Sequence, residues 1–331
     1  MQAAPLIEWP EPIFQLIDFI GLFLASGAVG FRYTALRGRL GARTASSSPE
    51  ATTSDIYDAA GRGAAMLGII GAAITLLRLF QNLPAQAARA KLPVGEFVTS
   101  NFPAAAGITL ATLALVGFAL ALRAPSIGWP LALVGVVVGR LRSALVGRWM
   151  SLINPIHMLA AGLWIGTLFV LVVVGLGLLF RYERSPERRG RVAADMVNAF
   201  SPLALTMGGL VVLFGVITAW RHLNPLSSLW STPYGWALIA KLVVVAVVFA
   251  LGAWNWRRQR PALGSETAAR SIQRSSRGEL VAAGIVLVIT AVLVSLPSPK
   301  RPGAGPEGAP PGAAAPAGGA AGTPNGAPPG R

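Results

Sequence analysis

His157 and Met158 stand side by side in the stretch Asn154 to Gly166, NPIHMLAAGLWIG, which opens a long apolar run in a chain with two histidines and no cysteine. Imidazole nitrogen and thioether sulfur are soft donors, suited to a soft transition-metal ion. A polar, ionisable ring at the start of a membrane span carries a desolvation cost that calls for a function. Asn154-Pro155 reads as an N-cap followed by proline at the first helical position, so a helix is predicted to begin there with His157 in its first turn. Neutral imidazole is the metal-binding form. His157, Ala161 and Trp164 share one face, while Ala160, Ala161, Gly162 and Gly166 let a neighbouring helix approach closely. The alternative reading is an interfacial histidine hydrogen-bonded to a loop.

Few other side chains are candidates for the same chemistry. His222 ends an apolar run after Trp220-Arg221 and is expected at the same membrane surface as His157, either as a second donor or as an interfacial anchor. Met150, Met158 and Met207 are further sulfur donors, or packing residues. Lys241 falls about eight residues into the seventh run, roughly 12 Å below its outer end, and Asp18 about six residues past Pro12, roughly 9 Å deep from the same side. Similar depth suggests an Asp18–Lys241 ion pair inside the membrane, against which stands snorkelling of Lys241 to the interface.

The elements that must position these residues are membrane helices. Hydrophobic residues are 53% and charged residues 12% of the 331, with a mean hydropathy of +0.59, values that mark an integral membrane protein. The formal charge of +15 sits in short clusters between apolar runs and so reads as a topology signal, not as a nucleic-acid-binding stripe. Runs long enough to span the hydrocarbon occur near 13–31, 62–80, 101–122, 126–146, 155–180, 200–220, 233–256 and 279–297. The predicted fold is therefore all-α, a polytopic bundle of about eight transmembrane helices. Arginines after the first, fifth and seventh runs place those loops in the cytoplasm and both termini outside. Arg140, Arg142 and Arg148, near the end of the fourth run, go against that trend.

Residues 44–55, rich in Ser and Thr, are expected to form a flexible cytoplasmic loop, and 298–331, almost wholly Gly, Pro and Ala, a disordered extracytoplasmic tail. The first span lacks a basic leader and is expected to be retained. Residues 1–150 form an N-terminal four-helix region, and 151–297 a second one. HExxH, GxSxG, Walker and Rossmann patterns are lacking, so the expectation is a non-enzyme without its own ATP-driven step.

Three segments carry a resemblance. HMLAAGLWIGTL at 157–168, STPYGWALIAKL at 231–242 and GAWNWRRQRP at 252–261 together resemble the copper resistance protein D (CopD) family, over about a third of the chain. The resemblance implies a bacterial inner-membrane protein that moves copper with a periplasmic copper-binding partner. It makes His157, Trp164, Gly166, Tyr234, Gly235, Lys241 and Asn255 the family-motif positions. Many relatives also carry a Gly-His pair near the end of the fourth span, where this chain has Gly139-Arg140 and Gly147-Arg148. Arginine does not ligate copper, so the resemblance leaves a metal site that is reduced, relocated to His157 with the methionines or His222, or lost. Two other classes stay open: a b-type haem electron carrier using His157 and His222 as axial ligands, and a non-catalytic membrane scaffold whose Gly/Ala-rich faces bind partners.

Overall fold

Apolar residues with few helix breakers over 20 or more positions leave the backbone one way to satisfy its N–H and C=O groups in hydrocarbon, and the chain takes it. The computed structural model describes residues 10–37, 50–222, 227–259 and 266–295, and among them no strand occurs. The first helices are α1 (Glu11–Tyr33), α2 (Glu50–Ala90), the short α3 (Val94–Ser100), α4 (Phe102–Ala121) and α5 (Pro125–Arg140). Two 3₁₀ turns, Arg142–Val146 and Trp149–Leu152, lead into α6 (Ile153–Ala161). That helix runs on through a π-helical turn (Gly162–Gly166), α7 (Thr167–Val170), a second π-helical turn (Leu171–Leu176) and α8 (Gly177–Tyr182). The chain then forms α9 (Pro186–His222), the short α10 (Ser228–Ser231), α11 (Pro233–Gln259) and α12 (Glu266–Ser295).

Six described helices are long and apolar enough to cross a membrane, and the shorter apolar helices Pro125–Arg140 and Leu280–Ser295 coincide with the fourth and eighth predicted runs. The outer faces suit lipid. Leu205, Val216 and Val281 are each more than 60% exposed, and Trp220, Trp230 and Trp236 project from the neighbouring ends of α9, α10 and α11 as an interfacial aromatic belt would. The protein is a multi-pass membrane helix bundle.

Small residues set the packing. Gly117 and Gly135 let α4 and α5 close into a hairpin, with Phe118 and Trp129 edge-to-face at 5.8 Å inside it. Helix α1 packs against α2 on one side and against the π-helical turn Gly162–Gly166 on another. At that second crossing Gly27 meets Gly166, and a Cβ on Gly27 would lie 2.8 Å from the Gly166 Cα. Residues 50–55 are helical and open α2, which corrects the expected loop at its C-terminal end. Residues 38–49 and the expected tail at 298–331 lie outside the described residues.

Candidate functional site

Helix α6 begins one residue before Asn154. Leu152, the last residue of the preceding 3₁₀ turn, stands at the N-cap without a side-chain bond, so Asn154 and Pro155 are both inside the first turn. Proline is tolerated there because its missing N–H would have had no intrahelical partner. The predicted N-cap at Asn154 is thus corrected, because the 3₁₀ turn runs straight into the helix.

The imidazole of His157 turns toward α9, its Nδ1 lying 2.9 Å from the carbonyl oxygen of Val211. A carbonyl only accepts, so Nδ1 carries the proton and donates, which leaves the Nε2 lone pair free. Gly215 makes room for this arrangement. A Cβ there would sit 3.1 Å from Cε1 and 3.5 Å from Nδ1 of the ring. Neither Val211 nor Gly215 is a residue type that advertises a site in sequence, although a glycine four residues after a β-branched residue in an apolar helix is a sign of close approach.

Met207, Val211 and Gly215 follow one another at helical spacing of four and therefore share a stripe of α9. Met207 is half-buried one turn from Val211, which puts its thioether on the same helix face as the acceptor that orients His157. Two turns along from His157, the Trp164 ring meets Phe249 of α11 at 4.7 Å in a tilted arrangement, and a Cβ on Gly208 of α9 would reach both rings. Lys241 of α11 is half-buried and within electrostatic reach of His157. No described carboxylate forms an ion pair with it.

The remaining candidates are spread out. Met158 is buried against Phe19 and Ala291, on a different face of α6 from His157. Met150, 78% exposed, belongs to the 3₁₀ turn before α6. His222 ends α9 with a side chain outside the described residues, but its backbone lies seven residues beyond Gly215, on the order of 10 Å along the axis. The two histidines are therefore not at one depth, which corrects the expected common level. Among the described residues no cluster of three or more His, Cys, Asp or Glu side chains forms that could hold a metal.

Motif residues outside the His157 face have structural work. Gly166 is the partner of Gly27 at the α1 crossing. Thr232 Oγ1 accepts from the Gly235 N–H at 3.0 Å and so caps α11, while Gly235 packs against the Leu229 carbonyl with no room for a side chain. Tyr234 is buried with Leu238 and Leu293. Asn255 lies in α11 with its side chain outside the described residues.

Asp18 pairs with Arg78 of α2, not with Lys241. Arg78 Nε donates to Oδ1 at 2.9 Å and Nη2 to Oδ2 at 3.4 Å, a fork that matches a carboxylate. The guanidinium also donates to Gln81 at 3.0 Å and lies 4.6 Å over the Phe14 ring. The expected Asp18–Lys241 pair fails for a reason of neighbourhood: α1 packs on α2 and α12, and α12 stands between α1 and α11.

Residues 194–293 match the family model for copper resistance protein D, which takes in the α11 motifs and His222 and starts after the His157 stretch. Over 154 residues the chain is 31% identical to the copper transport protein CutJ of Bacillus subtilis (strain 168). That similarity covers 46% of this chain and 26% of the relative, so the chain spans about a quarter of the relative it matches. No solved structure matches.

Proposed function

We propose that this membrane protein, a copper-handling chain of the copper resistance protein D kind, carries copper across the bacterial cytoplasmic membrane, with His157 as its principal donor. Copper here is cargo. The observation that supports the reading best is the His157–Val211 hydrogen bond, which fixes the tautomer, holds the ring, and leaves Nε2 as the free donor. Met207, on the same stripe of α9, supplies a thioether as second soft donor. Two donors of this type suit cuprous copper in passage, since a transport site must hold its ion weakly enough to release it. Under the basic-residue topology His157 lies toward the extracytoplasmic side, where a separate periplasmic copper-binding protein would deliver the ion. Met150 and Met158 are given no part in binding.

The test is copper uptake by the purified full chain in proteoliposomes under reducing conditions. His157→Ala is expected to lower the initial rate at least about tenfold, by loss of a direct donor where even outer-shell losses cost 10–100-fold. Gly215→Ala, whose new methyl presses on the ring, is expected to lower it by less while leaving the fold intact. Uptake by His157→Ala equal to wild type would sink the proposal. So would a stable copurifying complex whose assembly needs no copper and a chain that moves none, the outcome a scaffold would give.

A further inference from the structure

A cavity of about 240 Å³ lies between α1, α2, α4 and α5, away from His157. Its polar lining is Gln15, Asp18, Thr75, Arg78, Asn82, Arg140 and Arg142, with the Thr75 hydroxyl donating to the Gly71 carbonyl. Three guanidinium groups thus face one carboxylate, and Arg78 already occupies that carboxylate in the fork described above. Arg140 and Arg142 are left. Arg142 donates from Nη1 to the Gly139 carbonyl at 2.9 Å, while Arg140 Nε is buried with no hydrogen-bond partner among the described residues. The two are within electrostatic reach of each other, as is Asp18 of Arg140. Glu11, the next acid toward the start of α1, is held at the rim by Gln15 at 2.7 Å and does not line the cavity.

Uncompensated cations inside a membrane bundle are costly and mark a ligand path or a paired group. Water would fill the space with roughly eight molecules at about 30 Å³ each, but it would not neutralise two adjacent guanidinium groups. Planar guanidinium forks match oxyanions. We propose that this cavity binds one oxyanion group, phosphate or carboxylate in type, between Arg140 and Arg142, with Asn82 available as a neutral donor. The same assignment accounts for Arg140 and Arg142, two of the three arginines that break the loop-charge trend near the end of the fourth span. They are ligand-facing, so they do not report topology. This site is independent of the copper reading.

The experiment uses the full chain with two probes, one for each source of the shared chemistry. Inorganic phosphate is titrated against the thermal midpoint in a zwitterionic detergent, and native mass spectrometry counts lipids kept after transfer from nanodiscs of phosphatidylglycerol or of phosphatidylcholine. Saturable stabilisation by phosphate identifies a free oxyanion. One retained phosphatidylglycerol per chain without a phosphate effect identifies a headgroup. Either effect is expected to weaken at least about tenfold in Arg140→Gln and in Arg142→Gln, and to persist in Arg148→Gln, an exposed arginine outside the cavity. Arg140→Lys keeps the charge and the fold but loses the fork, and is expected to bind more weakly than wild type. Absence of both effects in wild type overturns the proposal, as does binding unchanged in the Arg140 variants.

Discussion

Asp18→Asn is expected to destabilise the protein by about 2–3 kcal/mol, because it strands the Arg78 charge in the bundle. Removing one partner of a fully buried ion pair costs about 3–5 kcal/mol. Asp18 keeps about a third of its side chain exposed and Arg78 a tenth, so some of that cost is relieved by solvent and the lower figure applies. The double variant Asp18→Leu with Arg78→Met is expected near wild type, since well-packed apolar replacement of both partners is often neutral. The measurement is a double-mutant cycle on the denaturation midpoint in detergent. A single-variant cost below about 0.5 kcal/mol, the usual worth of an exposed pair, would show that Arg78 is not held by Asp18.

Gly166→Leu is expected to cost about 3 kcal/mol or more, at or above the ordinary range for overpacking. A Cβ on Gly166 would fall inside van der Waals contact with the Phe23 carbonyl and 3.0 Å from the Gly27 Cα. Both neighbours are backbone, which cannot rotate aside, so α1 must move as a unit. The π-helical turn that carries Trp164 would move with it, and with Trp164 its contact with Phe249. Gly209→Ala and Gly284→Ala, where an added Cβ meets nothing within 4 Å, are the controls and are expected to be neutral or slightly stabilising. Thermal midpoints of the three variants check the prediction. Equal stability of Gly166→Leu and the controls would contradict it.

Which stretches are helical was legible in the sequence because sustained hydropathy over about 20 residues encodes a membrane helix directly. Each of the eight apolar runs overlaps a described helix, although the fourth, expected to reach 146, leaves α5 at Arg140 for a 3₁₀ turn, and α11 starts at Pro233, where the seventh run begins. Neighbour and azimuth were not legible. Asp18 and Lys241 were expected at a similar depth, yet α12 separates their helices, and the true partner was Arg78, which reads in sequence as an unremarkable last-turn cation of the second run. The acceptor that orients His157 is a backbone carbonyl, which no residue type announces. Helix length was misjudged for a simpler reason. Apolar runs mark only the hydrocarbon-spanning part, and α2 and α9 continue through polar flanks, α2 even past Pro84. Arg140 and Arg142 were visible as exceptions to the loop-charge rule, but their shared cavity required the α1–α2–α4–α5 packing to be known.

The claim that His157 is a copper donor is tested most directly by titrating the purified, reduced full chain with cuprous copper against a competing chelator, in wild type and His157→Ala, with X-ray absorption on the loaded protein. The account predicts one copper bound per chain, a nitrogen and a sulfur in its first coordination sphere, and affinity at least about tenfold lower in the variant. Equal affinity in both proteins, or a copper site lacking a nitrogen donor, would contradict it.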